Sequence, residues 1–243
     1  MAESIAVKKT KKLYDEVLEL ILERDNTTFF AMKDMEIKYG EAMEGRALEL
    51  QKLRIEAVRL ERRIAYLEAG MSSEDAIVRA DYDLAEDDML YEMQRRVKNY
   101  RAALSEDEAE ELDEVYTEIL KVLHPDLNPD QTLDTATLFI DLTSAYEYCR
   151  IDDLKKIKEQ TDAIKVRALE ELNDEEIKER QKALKASRTQ IRGMLEDMLD
   201  DHPFDKEDML DDEDEIAKER ANYDMAIAAV KVVIADYEKY LNK

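Results

Sequence analysis

Apolar residues recur at three- and four-residue steps along nearly the whole chain, and no stretch alternates apolar with polar positions. The longest run is Tyr39, Met43, Arg46, Leu50, Leu53, Ala57, Leu60, Ile64 and Leu67, an a/d heptad seam with one charged interruption. It stops at Gly70, and Ser72 or Ser73 with Glu74 and Asp75 reads as the cap and first turn of the next helix. That next helix carries Leu90, Met93, Val97, Tyr100 and Leu104 at the same spacing. A short connection between two long seams predicts an antiparallel helical hairpin. Upstream, Leu13, Val17 and Leu20 predict a helix over residues 4–24, and residues 25–28 are either a turn or a continuation of it.

Further on, Ser105 with Glu108 forms a capping-box pattern that opens a helix with Leu112, Val115, Tyr116, Ile119 and Leu123 on one face. After His124-Pro125-Asp126 and a loop containing Pro129, a second helix is expected over 133–148, with Phe139, Leu142, Tyr146 and Cys149 facing a core. Leu154, Ile157, Thr161, Ile164 and Ala168 continue the repeat to about Leu172. Asn173 then caps a helix whose apolar face is Ile177, Leu184, Ile191, Leu195 and Met198. A linker near Asp201–Asp205 leads to the last seam, Ile216, Arg220, Tyr223, Ile227, Val230, Ile234, Tyr237 and Leu241. A second antiparallel hairpin is expected, with Ile191 or Met198 against residues near Ile216 to Ile227.

Composition agrees with long helices: 40% of residues are charged and 44% apolar, with only 4 Gly and 3 Pro. A net charge of −24 argues against nucleic acid and anionic membrane surfaces as partners. No segment approaches the roughly 20 apolar residues of a membrane helix, and the N-terminus lacks a signal-peptide core. One cysteine, Cys149, cannot form an internal disulfide, which points to the cytoplasm. There is no Gly-rich phosphate loop, and His202 has no second His or Cys near it in sequence. The acidic run Asp205–Glu215 lacks calcium-loop spacing and reads as a solvated helix start. No cofactor, metal site or catalytic residue is expected.

The order helix, His124-Pro125-Asp126, helix resembles the centre of a J domain, the module of DnaJ-type co-chaperones. Tyr116 eight residues before the His, Asn128-Pro129 after the Asp, and Phe139-x-x-Leu142-x-x-Ala145-Tyr146-Glu147 carry the resemblance. It covers residues 105 to about 150. The same tripeptide also fits a plain helix stop, because Pro125 disfavours helix at His124. The resemblance implies a two-helix finger that presents His124, Pro125 and Asp126 to the ATPase of a DnaK-type chaperone, with hydrolysis done by the partner. Two departures stand out: the basic face of the first finger helix is reduced to Lys121 among many carboxylates, and the short helix that should precede it is missing. The whole chain looks like the bacterial proteins that embed a J-like helix pair between coiled coils.

The expectation is therefore all-α, with antiparallel coiled-coil hairpins flanking the J-like pair. Residues 1–104 form one arm, 105–150 the pair and 151–243 the other arm. The partner-binding surface is Lys121, His124, Pro125 and Asp126, with the His and Asp exposed. A client or assembly partner binds the arms, and Ile55, Val58, Val232 and Val233 are left to join a homo-oligomer. The alternative is a scaffold whose J-like pair no longer meets a chaperone.

Overall fold

The computed structural model describes residues 4–242, and among these every regular element is helical. In chain order the elements are α1 (Ile5–Asn26), a π turn (Thr27–Ala31), α2 (Met32–Ala42), α3 (Arg46–Glu68), α4 (Ser73–Asp83) and α5 (Ala85–Arg95). They continue as α6 (Glu106–Leu123), α7 (Leu133–Glu147), α8 (Ile151–Thr161), α9 (Asp174–Asp200), α10 (Glu207–Leu210) and α11 (Glu213–Leu241). None of the described helices is long and apolar enough to cross a membrane. The all-α class is as expected. Residues 25–28 are not a turn: helical bonding runs on from α1 through the π turn into α2, and the Thr28 hydroxyl donates back to the Arg24 carbonyl at 2.8 Å.

The chain divides into two compact units, each discontinuous in sequence, rather than three consecutive segments. The first comprises residues 1–33 and 99–204, the second 34–98 and 205–243. In the first, Ser105 and Glu108 close the capping box that opens α6. From there α6 and α7 run antiparallel, as expected, with His124 against Phe139 at one end and Tyr116 on Tyr146 towards the other. The turn after α7 puts Cys149 at φ 52°, and the Arg150 N–H reaches back to the Ala145 carbonyl at 2.8 Å. That is the six-to-one bond of a left-handed helix cap. Cys149 thus ends α7 half-buried and packed against the core, as its spacing predicts.

The turn sends α8 back along α6, with Leu154 and Ile157 buried and Lys155 paired to Glu111 at 2.6 Å. The repeat read through to Leu172 breaks at Thr161, so the finger has three helices and not two. Against it lies a pair that the sequence reading did not anticipate, α1 with α9. Gln181 donates to Thr10 Oγ1 at 2.9 Å, Arg188 to Glu16 at 2.8 Å, and Thr28 meets Met198 Sδ at 3.9 Å. Both numbers rise together, so the two helices are parallel. Val17, Ile21, Leu184, Ile191 and Leu195 close that seam into the core shared with Leu112, Ile119 and Leu142.

In the second unit the long seam is interrupted. Glu44 (φ 51°) and Gly45 (φ 75°) are left-handed, and they separate α2 from α3. Beyond Gly70 the chain turns, and α4 and α5 come back along α3. Arg59 holds Asp81 at 3.1 Å and Asp88 at 2.7 Å, while Ala76, Ala80 and Leu84 face inward. The expected covering of α3 by Leu90 and Met93 fails: these residues are 46% and 61% exposed, and the polar Arg59–Asp88 pair holds α5 instead.

The expected hairpin of α9 with the last helix is also overturned. The partner of α11 is α3, in parallel: Arg46 bonds Asp224 at 2.8 Å, Lys231 meets Glu49 at 2.7 Å, and Tyr240 donates to Glu68 at 2.8 Å. The seam itself was read correctly, since Ile227 is buried and Ile216, Tyr223, Val230, Ile234 and Tyr237 are all shielded. A heptad stripe states that a helix face will be covered. It does not state by which helix.

A candidate partner-binding loop and the cleft beside it

Helix α6 stops because Pro125 follows His124. The ring of Pro125 forces extended backbone on its predecessor, and His124 has φ −70° and ψ 126°. The chain then closes a tight turn over that residue. The His124 carbonyl accepts the N–H groups of Leu127 at 3.0 Å and Asn128 at 2.8 Å, and His124 Nδ1 accepts the N–H of Asp126 at 3.1 Å. Asn128 Nδ2 donates to the Val122 carbonyl at 2.8 Å, capping the end of α6. Thr132 and Thr135 exchange capping bonds that start α7. Every residue from 124 to 128 is therefore fixed by local hydrogen bonds or by the proline ring.

This geometry corrects the expectation for His124. Its side chain is buried, with 4% of its surface exposed, and its ring packs edge-on against Phe139 at 5.2 Å. The reason is the turn: accepting the Asp126 N–H swings the imidazole under the loop rather than out of it. Pro125 is exposed and Asp126 half-exposed, so these two and the exposed Lys121 form the outer surface. Of the four residues expected to bind a partner, three share that surface and His124 organises it from below. Phe139, expected to be buried, is only partly covered, whereas Tyr146 is fully buried.

Burial pushes the His124 pKa down from 6.5 to about 4, outweighing the attraction of Asp126, with Arg24 adding to the depression. A neutral folded imidazole that charges on unfolding contributes stability that is complete above pH 6.5 and fades as pH falls towards 4. The shift corresponds to about 3 kcal/mol. Asp25 works the other way, because burial raises its carboxyl pKa and its contribution fades as pH rises. The test is a comparison of urea unfolding at pH 7 and pH 4.5 for the wild type and His124→Gln. The wild type is expected to lose about 2–3 kcal/mol more than the variant across that interval. Equal losses would show that the imidazole is not buried in its neutral form.

Behind the finger's tip, a polar chain is built into the core of the same unit. The rings of Tyr116 and Tyr146 stack 3.6 Å apart at 7°. Tyr116 donates to Asp25 Oδ2 at 2.7 Å, while Tyr146 is within 2.8 Å of Asp113 Oδ1 and 3.0 Å of Asn26 Oδ1. Arg101 clamps Asp113 with two nitrogens and lies 5.1 Å over the Phe30 ring. The π turn supplies Phe29 and Phe30, which meet Tyr146 edge-on at 6.2 and 5.1 Å. Burial raises the pKa of both tyrosines, so they stay neutral donors.

The loop also forms one wall of a cleft of about 720 Å³, where Leu127, Asn128 and Pro129 face Tyr14 of α1 and Arg180 of α9. Tyr14 donates to the Lys121 carbonyl at 3.3 Å, and burial pushes its own pKa up to about 12. Burial lowers the Arg180 pKa. The sequence reading missed both residues. They arrive from helices more than 50 positions away on either side, and no local spacing links them to the tripeptide.

No family model, curated protein or solved structure matches this chain.

Proposed function

We propose that the chain is a J-like co-chaperone or adaptor. It engages a DnaK-type chaperone through the surface of Pro125, Asp126 and Lys121, and binds a client or assembly partner through its other helices. The observation that carries this reading is the rigid loop at the end of an antiparallel pair. The proline, the buried imidazole and the Asn128 cap preset one backbone conformation, so little ordering is needed on binding. A half-exposed carboxylate and an exposed ammonium on either side of the helix end suit a partner surface that offers both signs of charge. Nothing in this reading requires chemistry from the chain itself.

A scaffold role is the second reading, and the character of α6 favours it. Apart from Lys121, every charged side chain of that helix is acidic, and Lys155 and Lys158 of α8 are taken up by Glu111 and Glu118. Steering towards an acidic partner is correspondingly poor. Steady-state ATPase of the host's DnaK-type chaperone separates the readings. A several-fold stimulation at micromolar concentration is expected, falling back to the basal rate with Asp126→Asn at unchanged helicity. Absence of stimulation at any concentration leaves the scaffold reading.

A further inference from the structure

The cleft beside the loop has a cation on its wall that the fold does not use. Arg180 of α9 is half-buried, and its guanidinium forms no hydrogen bond or ion pair with any described residue. Tyr14, Asp126 and Asp130 act on it only from a distance, and burial lowers its pKa. Such a group has given up part of its water without gaining a partner, which is unfavourable for a fork of five N–H donors. The other cations of the cleft are placed differently. Arg167 is clamped to Glu176 at 2.7 and 3.0 Å, Lys11 is paired with Glu170, and Lys121 stands in solvent.

Much of the remaining wall is apolar. Leu127 and Pro129 come from the loop, Val166, Leu169 and Leu172 from the connection between α8 and α9, and Ala183 from α9 itself. The volume of about 720 Å³ falls inside the range of ligand sites. The rim is acidic, with Asp15, Asp130 and Glu179 exposed on it. That rim selects among anions. Exposed carboxylates are screened by water and tolerate one further charge held at Arg180, but they repel a multiply charged phosphate chain. The apolar walls in turn disfavour a bare ion. What fits is a single carboxylate carried between apolar groups.

We propose that the cleft binds an extended peptide segment in which one Glu or Asp lies between apolar residues. The carboxylate takes two parallel N–H groups of Arg180, and its neighbours rest on Leu127, Leu169 and Leu172. A guanidinium presents those donors at the spacing of carboxylate oxygens, and the pair is stronger in a half-buried cleft than in open water. The cleft is open to solvent, so a segment inside a longer chain can enter it. Its apolar surface comes from two separate stretches, the loop and the α8–α9 connection, which gives a residue on each side of the carboxylate its own contact. This site stands whether or not the Pro125–Asp126 surface meets a chaperone.

The test is fluorescence polarisation with the full chain at about 0.15 M salt. The probes are four labelled pentapeptides Ala-X-Glu-X-Ala, capped at both ends, with Leu, Ile, Val or Phe as X. At least one is expected to bind with a dissociation constant of about 10–100 µM, since a flexible segment loses conformational freedom on binding. Arg180→Gln should weaken that binding at least tenfold, and so should Gln in place of the peptide's Glu. The two changes together should weaken it no further than either alone. Ala183→Trp fills the cleft without touching a charge and should abolish binding, whereas Lys185→Gln, a charge loss elsewhere on α9, should leave it unchanged. Circular dichroism and urea unfolding establish that each variant is folded. Four peptides that all fail to bind at about 1 mM overturn the proposal, as does binding that survives Arg180→Gln. Octanoate displacing the peptide with at least tenfold higher affinity would assign the cleft to a small acid and overturn the peptide as its occupant.

Discussion

Replacing both Leu60 and Ile64 with Asp is expected to melt α11 together with α3, α4 and α5, and to leave α1 and α9 protected. Leu60 is buried in α3, which carries α4 and α5 on one side and α11 on the other. A carboxylate there loses the transfer energy of the leucine, about 2–3 kcal/mol, and adds the cost of an unpaired buried charge. Ile64, half-buried, adds to both terms. Together they exceed about 4 kcal/mol, a large share of the stability of a unit this size. A consecutive-hairpin arrangement makes the opposite forecast, because there α11 leans on α9 and survives. Hydrogen exchange read by mass spectrometry decides between them: residues 213–241 should lose protection with 46–95, and residues 5–26 and 174–200 should keep theirs. Continued protection of α11 would sink the parallel pairing.

Tyr146→Ala is the second substitution with a large effect, at about 4 kcal/mol against unfolding of the first unit. The ring stacks on Tyr116, meets Phe29 and Phe30 edge-on, and places its hydroxyl between Asp113 and Asn26. Truncation opens an aromatic-sized cavity and leaves the stacked face of Tyr116 bare. Tyr146→Phe keeps the packing and removes only the hydroxyl, so about 1–2 kcal/mol is expected. Urea unfolding of the two variants measures the division. If Phe costs as much as Ala, the hydrogen bonds and not the rings hold this part of the core.

The two experiments probe what could and could not be read in advance. Tyr146 was identified as core from Phe139, Leu142 and Tyr146 alone, because helical spacing within 20 residues fixes which side chains share a face. The ends of α6 and α7 were equally legible, since Ser105–Glu108, Pro125 and the chain's few other helix breakers are local signals. The inward stripe of α11 was right at every position. Its partner was not, because Leu60 offers the same apolar surface to any helix of matching period, and the choice is made by packing summed over the whole fold. The shortness of a turn argued for neighbours in sequence. The buried contacts of Val17 with α9 and of Leu50 and Leu60 with the second unit's helices outweighed that preference.

The loop shows the same division on a smaller scale. The sequence placed His124, Pro125, Asp126 and Lys121 together at a helix end, but it assigned the imidazole to solvent. That orientation hung on one hydrogen bond to the Asp126 N–H and one ring contact with Phe139, neither of which has a spacing signature. Tyr14 and Arg180 beside the loop were invisible for a stronger reason, as they join it only through tertiary packing. By itself, then, the sequence determined that this protein is helical, where most helices begin and end, and which face of most of them turns inward. The pairing of α1 with α9 and of α3 with α11, the burial of His124 and the cleft beside the loop were decided only in the tertiary structure. Helix periodicity is a local property set within a few turns, whereas the identity of a helix's neighbour is a competition among all apolar faces in the chain.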